Sequence, residues 1–276
     1  MSKKFKAIVI DNQNDKFTRE VKDLSKDALK DGNVLVKIDY SSLNYKDALI
    51  LNNGGRIVRK YPFVPGIDFS GSVEESEDAK FKKNDKVILT GFRVGEMYYG
   101  GFSQYAKVNS DFLVKVPKDL DTLKVMKMGT AGLTALLCAF AVKAKEELLM
   151  GSKVKDVLVT GATGGVGSFA VMALSKMGYD VHAVTGKKEK HEYLKKLGAK
   201  NILDRNEFLG ESKLLEKGLW DCVVDTVGGE GLTKILAQTK PGGIVALPGN
   251  AGGNKISTNV MPFVIRGIKL WGIDSS

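Results

Sequence analysis

One stretch constrains this chain more than any other, Asp156-Val-Leu-Val-Thr-Gly-Ala-Thr-Gly-Gly-Val-Gly-Ser168. Val157 to Thr160 are apolar or β-branched and read as a buried strand. A glycine turn follows, and Phe169 to Met177 reads as a helix. Strand, glycine turn and helix together form the context of a dinucleotide-binding fingerprint. Gly164 lets the backbone approach a pyrophosphate, Gly167 lets the helix pack closely on the strand, and the helix N-terminus offers free N–H groups to phosphate. The first fingerprint glycine is Ala162 here, so the strict G-x-G-x-x-G spacing is not met. Ala162, Thr163, Gly164, Gly165 and Val166 are the candidates for the phosphate-binding turn.

The rest of the chain narrows the options. The 276 residues suffice for two domains, and 43% hydrophobic content with interspersed charge is that of a globular protein. The longest apolar run, Ala131 to Val142, is too short to span a bilayer, and no signal peptide is legible before Ala7-Ile-Val-Ile10, so the expectation is a cytoplasmic protein without a membrane role. The two cysteines, Cys138 and Cys222, sit in apolar patterns and read as core residues. His182 and His191 are not spaced with them as ligands, so no metal is expected. The net charge of +10 attracts phosphate, but Lys187, Lys188, Lys190, Lys195 and Lys196 alternate with Glu189 and Glu192 as on a solvated helix face. No interleaving of basic and aromatic residues points to nucleic acid.

Residues 1–120 read as β-rich, with strand-like runs at Lys6–Ile10, Val34–Tyr40, Gly71–Glu74, Lys86–Thr90, Ser103–Val108 and Leu113–Val116. A helix begins at Ser42 or Asn44 and runs through Ile50. This half is expected to be a partly open β-barrel. Residues 121–276 open on an apolar helix, Gly129–Val142, and a charged connection, Lys143–Lys155. Six strands then alternate with helices, at Val157–Thr160, Asp180–Thr185, Asn201–Leu203, Asp221–Thr226, Gly243–Leu247 and Lys269–Ile273. That pattern predicts an α/β doubly wound parallel sheet of the Rossmann kind.

The end of the second strand discriminates between cofactors. NAD sites place an acid there for the ribose 2′-hydroxyl. This chain has Thr185-Gly-Lys-Lys188, with no acid, and Arg205 follows the neighbouring strand. A carboxylate repels a 2′-phosphate and cations attract it, so Thr185, Gly186, Lys187, Lys188 and Arg205 favour NADPH. Val227, Gly228 and Gly249 follow the fourth and fifth strands, at the sheet edge where such folds bind ligand.

Several longer motifs carry a resemblance. Ser42-Leu-Asn-Tyr-Lys-Asp-Ala48, Val64-Pro-Gly-Ile-Asp-Phe-Ser-Gly71, Gly129-Thr-Ala-Gly-Leu-Thr-Ala135, His191-Glu-Tyr-Leu194, Asp225-Thr-Val-Gly-Gly229 and Met261-Pro-Phe263 resemble the medium-chain dehydrogenase/reductases, and within them the YhdH/YhfP-type quinone oxidoreductases that include acrylyl-CoA reductases. The resemblance covers essentially the whole chain. It implies a GroES-like barrel, a Rossmann domain, a site in the cleft between them and zinc-independent NADPH chemistry. Zinc relatives carry a cysteine ligand in the first helix region and a Gly-His-Glu later, where this chain has Asn44-Tyr45 and Gly66-Ile-Asp68. Relatives also continue past the sixth strand by roughly 50 residues, supplying the helix that covers such a sheet. The chain therefore reads as shortened relative to the family, with apolar surface and a strand edge left uncovered.

By this resemblance the reaction is hydride transfer from NADPH to the β-carbon of an α,β-unsaturated thioester such as acrylyl-CoA. Tyr45 and Asn44 are the candidates for substrate orientation, oxyanion contact or proton donation, and Asp47 for catalysis or, preferably, for holding that segment. Thr130 and Thr134 lie on the helix start that approaches the nicotinamide in relatives. Alternatives are an NADPH-dependent quinone reductase and a non-catalytic NADPH-binding protein. Relatives commonly form homodimers through the Rossmann sheet edge, which is the partner expected besides a small-molecule substrate, enoyl-CoA or quinone.

Overall fold

The computed structural model describes all residues except 1–3, 15, 54–56, 149–152 and 276. Gly54 and Gly55, where Asn52-Asn-Gly-Gly55 predicts a turn, and 149–152 of the expected charged connection lie outside the described residues. The chain forms two compact units that divide between Thr130 and Ala131.

In the first unit, β1 (Lys4–Gln13) and β2 (Lys16–Ser25) pair as an antiparallel hairpin. β2 has no counterpart in the sequence reading, because none of its ten positions is buried and charges break any alternation. Its signal comes from β1, whose Phe5, Ala7 and Val9 alternate inward. β3 (Val34–Tyr40), α1 (Tyr45–Leu51), β4 (Asp68–Ser76), β5 (Lys86–Thr90), β6 (Tyr105–Val108) and β7 (Val114–Lys115) follow. The strands form an antiparallel sheet in the order β6-β3-β4-β5-β7, the GroES-like architecture. Val34, Val36, Phe69, Val73, Val87 and Leu89 fill its core, each buried side chain being worth about 1.5–3 kcal/mol.

α2 (Thr122–Leu148) runs across the division and breaks at Gly129, whose φ of +46° suits glycine and whose added Cβ would lie 2.9 Å from Asp68 Oδ2. The helix starts earlier and ends later than the expected Gly129–Val142, and Lys143 to Leu148 are helical rather than a connection. By length and composition alone α2 could cross a bilayer, but Ala135, Cys138, Ala139 and Val142 are buried in the second unit's core.

The second unit alternates β8 (Asp156–Val159), α3 (Gly165–Lys176), β9 (Asp180–Thr185), α4 (His191–Lys196), β10 (Asn201–Asp204), β11 (Trp220–Val224), α5 (Gly231–Gln238), β12 (Thr239–Leu247), α6 (Met261–Arg266) and β13 (Lys269–Gly272). All six strands are parallel, in the order β10-β9-β8-β11-β12-β13, which is the Rossmann order. Val157, Leu158 and Val159 are wholly buried on both faces, which explains the unbroken apolar run of the first strand. α3 begins within the glycines, four residues before the expected Phe169, because Gly164 serves as N-cap. Gly167 is obligatory for that packing, since a Cβ there would sit 2.3 Å from the Gly161 carbonyl oxygen.

Candidate nucleotide site and the Tyr45 segment

The strand ends of the second unit surround a cavity of about 690 Å³. Its lining comes from the ends of β8, β9, β10 and β11 and from the loop after β12. Thr163, Thr185, Gly186, Lys187, Arg205, Val227 and Gly228 line it, as expected of a site at the carboxyl edge. The other expected cofactor residues lie elsewhere. Ala162 is wholly buried and its N–H donates to the Val184 carbonyl (3.2 Å), so it joins two strands. Gly164, Gly165 and Val166 form the N-cap and first turn of α3, where N–H groups have no intrahelical acceptor and suit a phosphate. Lys188 is exposed outside the lining. Gly249 packs on the Thr226 carbonyl, and the following loop enters the cavity at Ala251 to Lys255 instead.

The β9 end is cationic. Among the described residues, neither Lys187 nor Arg205 has an ion-pair partner. Arg205 lies over Gly186, so closely that a Cβ on Gly186 would meet its Nε at 2.7 Å. The Lys187 N–H donates to Thr185 Oγ1 (3.1 Å), which fixes the turn. Asp204 caps the Arg205–Phe208 turn by accepting the Asn206 N–H (2.8 Å).

Sequence reasoning passed over Asp225 and Thr160. Asp225 is wholly buried at the cavity wall, and burial pushes its carboxyl above the ordinary range. It accepts the Thr160 hydroxyl (2.5 Å) and the N–H groups of Val227 and Gly228 (both 3.1 Å). One side chain thus shapes the loop that presents Val227 and Gly228. The signal was the Asp225–Gly229 motif itself, in which a short polar side chain ahead of the glycines can accept the N–H groups of its own loop.

In the first unit, Asn44 caps α1 and places Tyr45 at its first position, 57% exposed. The Asn44 N–H donates to Asp47 Oδ2 (2.8 Å), and Asp47 Oδ1 accepts the Ile67 N–H (3.0 Å). Asp47 is wholly buried, and desolvation raises its pKa to about 6 against the opposing pull of these hydrogen bonds. Asp68 is the second hub and was missed as such. It accepts the Ser42 N–H (3.0 Å) and hydroxyl (2.8 Å), Asn44 Nδ2 (3.1 Å) and the Thr130 N–H (3.0 Å). Thr130 is therefore tied to Asp68 through its main chain. Thr134, in the second unit, shares a hydroxyl hydrogen bond with Ser275 (2.7 Å).

Among the described residues, the side chains do not assemble a zinc site. Burial pushes the Cys138 thiol up to about 12 and Cys222 to about 11, as for cysteines packed in an apolar core. Among the described residues, no group of three His, Cys, Asp or Glu side chains could hold a metal.

A six-stranded 3-2-1-4-5-6 sheet with a cationic cavity at its carboxyl edge, paired with a GroES-like sheet, defines the class of nucleotide-dependent oxidoreductases. Comparison with known proteins narrows the class. The alcohol dehydrogenase GroES-like domain matches residues 30–118, and the zinc-binding dehydrogenase model matches 165–275. The acrylyl-CoA reductase AcuI of Ruegeria pomeroyi is 48% identical over 274 residues, covering 98% of this chain and 82% of its own length. The Salmonella enterica yhdH oxidoreductase in complex with NADP superposes with a TM-score of 0.92 at 46% identity, over 98% of this chain and 82% of that one. Bacillus subtilis yhfP with NAD bound gives 0.91 at 41% identity, over 99% and 83%. The chain belongs to the medium-chain dehydrogenase/reductase family, in the branch that holds these oxidoreductases.

Proposed function

We propose that this chain is an NADPH-dependent reductase of activated alkenes, acting on an α,β-unsaturated acyl thioester such as acrylyl-CoA. The observation that carries the cofactor reading is the cationic end of β9. Lys187 and Arg205 present two cations without an ion-pair partner among the described residues, and no acid stands in the position that reads a 2′-hydroxyl. The two similar solved structures hold NADP and NAD respectively, so the choice rests on these side chains. The first-turn amides of α3 take the pyrophosphate, and Gly228 with the 251–255 loop closes the cavity. The bound nicotinamide supplies a hydride to the alkene β-carbon.

The chain's own residues must orient the thioester, stabilise its developing enolate oxygen and deliver a proton to the α-carbon. Both Asn44 Nδ2 protons are engaged, by Ser42 Oγ (3.0 Å) and Asp68 Oδ2 (3.1 Å), so Asn44 positions rather than donates. Asp47 has both oxygens occupied and holds the segment. The exposed Tyr45 hydroxyl is left as oxyanion contact and proton donor. Thr134 would hold the nicotinamide end of the cofactor, as the resemblance implies, and Thr130 would keep the helix start in place through its N–H bond to Asp68. The protein works in the cytoplasm, consistent with two free cysteines, and pairs as a homodimer through β13, the sheet edge where Trp271 is 44% exposed. Size-exclusion chromatography with light scattering reads that state directly.

The test is NADPH oxidation with acrylyl-CoA and a quinone side by side. Propionyl-CoA as product supports the reading. Turnover of the quinone alone replaces it with a quinone reductase, and NADPH binding without any turnover leaves a binding protein.

A further inference from the structure

We propose that Phe92 and Arg93 form a docking plate for the phosphorylated adenosine end of the acyl-CoA substrate; this rests on the thioester reading above. The loop after β5 holds two consecutive non-glycine residues in the left-handed region, Phe92 at φ +56° and Arg93 at +58°. A bulky side chain there costs stability and persists only where neighbours enforce it, as at ligand-binding segments. Here the neighbours do. The Val94 N–H bonds the Gly91 carbonyl (3.2 Å), and the Met97 N–H bonds the Arg93 carbonyl (2.9 Å). Lys46 Nζ on α1 pairs with Glu96 Oε1 (2.7 Å), which fastens the loop to the helix that begins at Tyr45.

The geometry exposes chemistry rather than hiding it. Phe92 stacks on Phe112 with ring centres 4.7 Å apart and planes 12° apart, yet is 50% exposed, so its outer face is open. Tyr98 leans on the same Phe112 ring at 5.8 Å. Arg93 is exposed, has no carboxylate partner among the described residues, and rests its guanidinium against Met97 Sδ at 4.0 Å. An open aromatic face stacks a purine, and an unpaired guanidinium beside it takes a phosphate. Coenzyme A carries both groups at the far end of its pantetheine arm. No other part of an acrylyl thioester needs an aromatic plate.

The experiment compares acrylyl-CoA with acrylyl-pantetheine, the same thioester without the nucleotide, using wild type, R93G, R93K and F92A. Glycine suits the left-handed backbone, so R93G removes the cation without straining the fold. The expected result for R93G is a loss of about tenfold in kcat/KM on acrylyl-CoA, carried by KM, and under twofold on acrylyl-pantetheine, the size of one charge-assisted phosphate contact. R93K retains part of the preference, and F92A loses about fivefold on acrylyl-CoA alone, the low end for one stacked base. Equal losses on both thioesters, no loss with R93G, or a wild type indifferent to the nucleotide overturns the plate while leaving the reductase intact. A wild type that reduces neither thioester removes the thioester reading, and the plate with it. A weakened NADPH affinity in R93G would also overturn the assignment.

Discussion

The cavity in the second unit is assembled by main-chain turns, whereas the wall around Tyr45 in the first is assembled by two buried carboxylates. In the cavity, glycines, strand ends and a helix N-terminus set the shape, and Asp225 and Thr160 add the long-range side-chain bonds at its wall. Around Tyr45, Asp68 and Asp47 gather N–H and O–H groups from Ser42, Asn44, Ile67 and Thr130. The difference concerns where failure is tolerated. A turn-built site loses affinity when a side chain changes, and a carboxylate-built wall loses its fold.

The largest effect is therefore expected at Asp68. Asp68→Ala removes a wholly buried carboxylate and leaves the buried Thr130 N–H and the half-buried donors of Ser42 and Asn44 without their acceptor, and should cost about 3–5 kcal/mol, read as a fall in the urea midpoint. A loss under 1 kcal/mol would mean that the wall does not depend on its hub. Asp47 sharpens the same point through pH. Its folded pKa of about 6 lies above the ordinary 3.8, so the folded protein binds the extra proton between those values. Its stabilising contribution is fully present below the unfolded pKa and is lost as pH rises through 6. Measured against Asp47→Ala, wild type should gain stability as pH falls from 7 to 4, by at most about 3 kcal/mol. A flat difference would refute the desolvation argument.

In the cavity the effects are on binding. Lys187→Glu or Arg205→Glu should weaken NADPH about 10–100-fold more than NADH in fluorescence titrations, with little change in thermal midpoint. Equal losses for both nucleotides would remove the 2′-phosphate assignment. The smallest effect is at Gly186→Ala. The new Cβ moves the flexible Arg205 guanidinium, and NADPH should weaken by about threefold while NADH is unchanged.

The same contrast explains what could be read from the chain. β3, β5 and β9 begin and end where their sequences indicate, because buried strands and glycine turns are local signals. The cationic β9 end was legible for the same reason. β2 was invisible because an exposed strand has no buried face to imprint a pattern. Asp68 lay inside a quoted motif, but its role depends on Ser42, Asn44 and Thr130, up to 62 residues away, and no spacing rule encodes that meeting. Asp47 was legible in role because its partner Asn44 lies three residues away, as a helix cap requires. Gly249 illustrates the limit from the other side, since glycines announce a turn without saying which of its residues face the ligand.

Delivery of a nicotinamide hydride to the β-carbon of an unsaturated thioester leaves an isotopic trace. The most direct measurement is reduction of acrylyl-CoA by NADPH deuterated at C4 on both faces, with the product analysed by NMR. The expected product is propionyl-CoA bearing one deuterium at the β-carbon and a solvent-derived proton at the α-carbon. Deuterium at the α-carbon, or none in the product, would contradict it.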